Sequence, residues 1–281
     1  MTKINCTVRQ ASSNLDAKHY DTQRIRSEYL VTGLMVADEI NMVYSMFDRI
    51  IAGGAVPVRE ELVLEAPEIL RADYFTQRRE LGVINVGGDG IVKVGDEEYV
   101  IPHKEAIYVG RGNRHVSFRS LDPDHPAHFY FNSATAHRET GVKQVSKKDA
   151  VVMHCGSLEE SNERTINRLL VKEVVPCCQL QMGMTELAPG STWNTMPTHT
   201  HDRRMEVYFY FDLPEDAAVC HFMGEPQETR HIWMHNEEAV ISPQWSIHSA
   251  CATRNYTFIW GMCGENDDYG DMDWCKTTDL R

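Results

Sequence analysis

MPTHTHDRRMEVYFYF, residues 196–211, sets two histidines one residue apart, a glutamate five residues after the second, and then five aromatic or apolar residues in a row. On an extended strand, residues i and i+2 share a face, so His199 and His201 project side by side and suit two ligands of one metal ion. Parity alone sends Glu206 to the opposite face. Asp202-Arg203-Arg204 is a polar break where the chain can bend, letting the glutamate return to the same point from the next strand. VYFYF then reads as the sheet core that carries it. A fourth ligand is expected from a later strand, and His248, in a turn that begins at Pro243, is the candidate. Three imidazoles and one carboxylate suit Zn²⁺, Fe²⁺ or Mn²⁺, not Ca²⁺ or Mg²⁺. An HxH pair alone says little. HxH-x4-E followed by P-x4-H in a strand-rich half is far more specific.

The residues around these four extend the reading. With Glu206 facing a barrel interior, Tyr208 and Tyr210 share its face while Val207, Phe209 and Phe211 pack outward. The two phenols then either orient a hydroxylated substrate or are core aromatics with satisfied hydroxyls. Arg203 and Arg204 are either solvated turn charges or clamps on a carboxylate, a use that guanidinium geometry favours. Arg164 and Arg230 are further cationic candidates. Trp193 and Asn194 either wall a pocket or close the barrel end. The other ten histidines, His115 among them, are read as surface or structural residues.

The rest of the chain is written in short β-branched and aromatic runs broken by Gly, Pro, Asn and Asp: LGVINVGG, GIVKVG, EAIYVG, HVSFRS and HFYFNS, then EVYFYF, AAVCHFMG, RHIWMH, EAVISP and NYTFIWGM. Such a ladder predicts an all-β protein of two barrel-like or jelly-roll-like halves. Residues 16–30 and 157–170 are the two expected helices. The charged interval 138–150 marks the boundary, which gives domains 1–140 and 141–281. The halves share an order: an RR-led strand, a hairpin, then a turn ending in His (His115, His248) and a strand. The first half has Phe75, Thr76 and Gln77 in place of HxH, and Leu81 where Glu206 aligns, so duplication with one working copy is expected.

Composition narrows the function classes. The 281 residues allow one elaborate domain or two modest ones. A net charge of −13 argues against a general nucleic-acid binder, yet a pocket on an acidic protein can be locally positive. No apolar run is long enough for a membrane span, and the N-terminus lacks the apolar core of a signal peptide. Cytoplasmic location is the expectation. The eight cysteines show no CxxC pair or regular framework and are read as reduced thiols.

Gly190–Glu206 resembles the first cupin motif and Pro243–His248 the second, with a longer spacing after Gly190 and Trp245 at the second motif's glycine. NTMPTHTHDRRMEVYFYF, PQETRHIWMHNEEAVISPQWSIHS and YTFIWGMCGEN, with DEINMVYSMFDRIIAGG and RRELGVINVGGDG in the first half, resemble the 5-keto-4-deoxyuronate isomerase family nearly end to end. The resemblance implies a bicupin with a degenerate N-terminal domain and one Zn²⁺ per chain in the C-terminal cupin, held by His199, His201, Glu206 and His248. It further implies an aldose–ketose type isomerase of pectin breakdown that interconverts 5-keto-4-deoxyuronate (4-deoxy-L-threo-5-hexosulose uronate) and 3-deoxy-D-glycero-2,5-hexodiulosonate, assembled as a hexamer. The partner is thus an anionic sugar acid whose carboxylate pairs with Arg204 or Arg164. The general base is open among Tyr208, Glu186 and a metal-bound hydroxide. The rival readings are an isomerase of a related acid such as 5-deoxy-glucuronate, an iron-dependent cupin dioxygenase, and a non-catalytic sugar-binding or storage bicupin.

Overall fold

The computed structural model describes residues 2–267 and 269–281. It is built on strands, and the chain divides into two compact units, each discontinuous in sequence. The first comprises Met1–Arg9, Gly33–Val151 and Arg168–Met182, and the second Gln10–Thr32, Val152–Asn167 and Gly183–Arg281. The expected boundary at 140/141 therefore falls inside the first unit, and residues 10–32 belong with the metal-motif half.

In the first unit a seven-stranded sheet runs in the order Lys3–Arg9, Glu39–Ser45, Ile51–Ala55, Phe129–Thr135, Arg79–Asn85, Ala106–Val109, Val142–Val145. A four-stranded sheet of Leu62–Val63, Val116–Ser120, Gly90–Val94 and Glu97–Ile101 shares one hydrophobic core with it. Alternating residues fill that core, and Phe75, Phe118, Phe129 and Phe131 pack ring on ring through it. The room comes from glycine: a Cβ on Gly53 would lie 2.2 Å from Cζ of Phe131, its partner across the ladder. Leu81 is fully buried in this core. His115, in a left-handed turn, is exposed.

The second unit repeats the arrangement around its own interior. Arg204–Phe211 lies between Thr257–Gly264 and Glu238–Ser242, as Arg79–Asn85 lies between Phe129–Thr135 and Ala106–Val109. All eight residues of Arg204–Phe211 are buried, as a strand with a neighbour on each side and a packed face on each surface should be. A four-stranded sheet of Trp193–Asn194, Ser249–Ala252, Val219–Glu225 and Glu228–Met234 covers the opposite side, and a short ladder joins His199–Thr200 to Asp273–Trp274.

The expected N-terminal helix is present as two pieces, Asn14–Ala17 and Thr22–Tyr29, the second capped by Asp21, whose carboxylate accepts from Arg24 N. The helix expected over 157–170 is not formed. Ser161 takes a left-handed backbone conformation, and Arg164–Leu170 is a strand. Its position between Val151–Cys155 and Gln181–Leu187 gives backbone pairing on both edges, which outweighs the weak helical pattern. All eight cysteines are free, and among the described residues no helix is long and apolar enough to cross a membrane.

Candidate metal centre

Four side chains converge at one end of the second unit's barrel. His199 lies on its two-residue strand, and His201 follows as the chain turns, with Arg204 N donating to His201 O at 3.4 Å. That turn is the bend the polar DRR segment allows, and it delivers Glu206 to the side where the histidines point. The loop after Ser242 is closed by Ser246 N donating to Pro243 O at 2.9 Å, which aims His248 at the same point. All four residues are buried, at 4%, 1%, 4% and 1% exposed. Their donor atoms lie within 4.8 Å of one another.

The facing atoms do not suit a closed set of hydrogen bonds. His201 Nδ1 lies 2.8 Å from the carbonyl oxygen of Asp271, which only accepts, so that nitrogen carries the proton and Nε2 presents a lone pair. This lone pair faces His199 Nε2 at 3.0 Å and the Glu206 carboxylate at 2.6 Å, while His248 Nε2 faces His199 Nε2 at 2.9 Å and Glu206 at 3.5 Å. Protonating His199 and His248 is disfavoured. Burial first, then the neighbouring imidazoles, pushes His199 well below its ordinary value, and burial also holds His248 at about 4. Glu206 is lowered to about 2: burial would raise it, and positive charge on the facing imidazoles more than offsets that, so the carboxylate keeps its charge only against a cation. Neutral imidazole lone pairs and one carboxylate crowded out of water call for a cation between them. A tetrahedral ion with ligands at about 2.1 Å needs donors about 3.4 Å apart, close to the spacing present. The four residues fit a metal ion.

The centre opens into a cavity of about 140 Å³. Its polar lining is Arg164, Thr185, Thr195, Tyr208 and Tyr269 with the exposed sides of His199 and Glu206, and Met196, Phe258, Trp260 and Met262 form an apolar wall. Tyr208 Oη lies 3.1 Å from Thr195 Oγ1, and burial, with Glu206 nearby, pushes the phenol far above its ordinary value. A phenol raised in this way keeps its proton at neutral pH. Arg164 donates to Asn162 O at 2.8 Å and reaches the cavity.

Other candidates go elsewhere. Arg204 is fully buried but turned away, donating to Asn266 Oδ1 and to the carbonyls of Tyr269 and Asp271, so it is not placed to clamp a substrate in this cavity. Arg203 pairs with Asp271 and Asp273. Arg230 binds Glu228 and the carbonyl of Lys18. Glu186 faces the other side of its strand from Thr185, where Asn167 Nδ2 donates to it at 3.0 Å, and does not line the cavity. Tyr210 is a core phenol 2.8 Å from His221 Nδ1, Trp193 stacks on Phe222, and Asn194 donates to Tyr256 Oη. Thr195, Tyr269, Met272 and Trp274 join the site without having been singled out. The last three come from the C-terminal tail, which carries no motif.

Known proteins bear on this geometry. The KduI/IolB family model matches residues 30–278. Two of the most similar relatives are named 4-deoxy-L-threo-5-hexosulose-uronate ketol-isomerase: one from Bacteroides fragilis (strain YCH46), 60% identical over 99% of this chain and 100% of its own, and one from Dickeya dadantii (strain 3937), 51% identical over 98% and 99%. Among solved structures, an IolB-like protein from Salmonella typhimurium LT2 aligns with a TM-score of 0.66 at 14% identity, covering 80% of this chain and 87% of that one. An oxalate decarboxylase from Lactobacillus farciminis aligns at 0.54 and 9% identity, covering 77% of each chain. These structural likenesses show the fold, a bicupin. The family match spans both units and the whole four-residue cluster, and the chain belongs to the KduI/IolB family.

Proposed function

We propose that the chain is a zinc-dependent isomerase that interconverts 4-deoxy-L-threo-5-hexosulose uronate and 3-deoxy-D-glycero-2,5-hexodiulosonate in uronate breakdown. The observation that carries this reading is the near-full-length identity to proteins named for that reaction, together with a four-donor centre that opens on a cavity containing one arginine.

The substrate is a small anionic sugar acid, and Arg164 is the cavity's cation for its carboxylate. The hydroxyls of Thr195 and Thr185, which line the cavity, would bind substrate oxygens, and Met196, Phe258, Trp260 and Met262 would exclude water from the reacting carbons. Zn²⁺ held by His199, His201, Glu206 and His248 would polarise the carbonyl as a Lewis acid and so acidify the adjacent C–H. Tyr208 holds its proton at Oη beside Thr195, and its role is to donate a hydrogen bond to the oxygen that gains negative charge. Assembly as a hexamer and cytoplasmic location belong to the same reading, the first measurable as mass in solution.

The test is zinc analysis of the purified protein combined with NMR of the hexosulose uronate during incubation. Conversion to the hexodiulosonate is expected, with about one zinc per chain by the donor count. Arg164→Ala should raise KM by about 10–100-fold, the value of a charge-assisted pair. Metal present with no conversion would leave the fold standing and remove this function.

A further inference from the structure

We infer that Arg204 is a positioning residue: through the tail segment Tyr269–Cys275 it sets the orientation of His201 and fixes one wall of the cavity. Its side chain is the largest fully buried one among the described residues, and a buried cation is tolerated where hydrogen bonds hold its head. Here the two terminal nitrogens carry them, while Nε has no hydrogen-bond acceptor among the described residues. Its donors go to Asn266 Oδ1 at 2.9 Å, Tyr269 O at 3.0 Å and Asp271 O at 3.1 Å. All three acceptors lie just beyond the last long strand of the barrel, so one planar fork gathers a chain segment that has little regular structure of its own.

Asp271 O has two lone pairs, and the structure uses both. One accepts from Arg204 and the other from His201 Nδ1, at 2.8 Å. This contact keeps the proton on Nδ1 and turns Nε2 toward His199 and Glu206, the arrangement that outer partners of metal-bound histidines commonly impose. The same segment reaches the other histidine. Trp274 pairs with His199 in the short ladder, with rings 4.9 Å apart, and Cys275 N donates to Thr198 O at 2.9 Å. Between these anchors, Tyr269, Met272 and Trp274 face the cavity. Arg203 holds the outer side through the carboxylates of Asp271 and Asp273, but it is 38% exposed and its pairs are screened. Arg204 is thus the dry anchor and Arg203 the wet one. The cavity-wall half of this inference rests on the functional reading above, whereas the His201 half does not.

The test uses no substrate, so its outcome and that of the isomerase assay are separable. Zn²⁺ affinity is measured by chelator competition, and amide exchange is followed at 269–275, both on the full chain. Arg204→Lys keeps the charge and loses the fork. It should weaken Zn²⁺ binding by about 10–100-fold and raise exchange in the tail. Arg203→Ala should change affinity by no more than about fivefold. A folded Arg204→Lys protein with wild-type affinity and wild-type tail protection would overturn the inference. A measurement on the unaltered chain covers the case in which that variant fails to fold. Because His201 links the metal to the tail, stripping Zn²⁺ must itself raise exchange at 269–275, and unchanged protection there would overturn the inference equally.

Discussion

His221 sits fully buried in the second barrel with Nδ1 2.8 Å from Tyr210 Oη, in a stretch, AAVCHFMG, that reads as an ordinary strand. Burial, and then the proximity of His248, holds its imidazole at about 3. The unfolded chain binds that proton near pH 6.5, and the fold binds it only near 3. Unfolding therefore takes up a proton between these values, and stability falls as pH drops through the window at about 1.4 kcal/mol per unit. His221→Asn keeps a polar atom for Tyr210 and removes the titration. Its urea stability measured from pH 6 to 4 should fall less steeply than that of the wild type by about that amount, and parallel slopes would show that His221 does not carry the effect. The four cluster residues were legible because each belongs to a spacing that chemistry demands. His221 belongs to no spacing, and only the fold shows that it is buried beside Tyr210.

At the level of elements, the sequence carried most where a local pattern coincided with a tertiary need. EVYFYF is a strand with both edges paired and both faces packed, and the DRR bend puts Glu206 beside the histidines. It carried least where pairing partners decided the outcome. NERTINRLL had a helical look, but its backbone is captured between two strands. The tail from Tyr269 to Cys275 offers no periodicity at all, because contacts to Arg203, Arg204, Thr198 and His199 hold it. The first barrel shows the same rule in its glycines. IAGGA is a fully buried strand whose Gly53 makes way for the ring of Phe131, and the ring fills the space. Gly53→Ala must displace that ring and should cost about 1–3 kcal/mol in urea unfolding. In a Phe131→Ala background, itself about 3–5 kcal/mol less stable, the same glycine substitution should cost less than about 0.5 kcal/mol. Equal costs in both backgrounds would mean that the ring is not what Gly53 accommodates.

Across the two units, one strand arrangement carries two different interiors. The first is packed with phenylalanine and has no ligand in the positions of Glu206 and His201, since Leu81 is core and Thr76 donates to the carbonyl of Asn113. The second keeps polar groups at its centre, and their mutual repulsion is unfavourable until a cation arrives. Metal binding would therefore also be a stability term. A ligand that binds only the folded chain adds RT ln(1 + [L]/Kd), about 4 kcal/mol when free metal is a thousandfold above Kd. The ion would join the strand at His199, the strand at Glu206 and the loop at His248, with the tail joined through His201, so its removal should be felt well beyond the cavity. Chelation should lower the thermal midpoint, and added Zn²⁺ should restore it. His248→Ala, with one donor gone, should start from a lower midpoint in zinc and respond far less to chelator. If chelator shifts the wild type and His248→Ala equally, the stabilising ion is bound somewhere other than this centre.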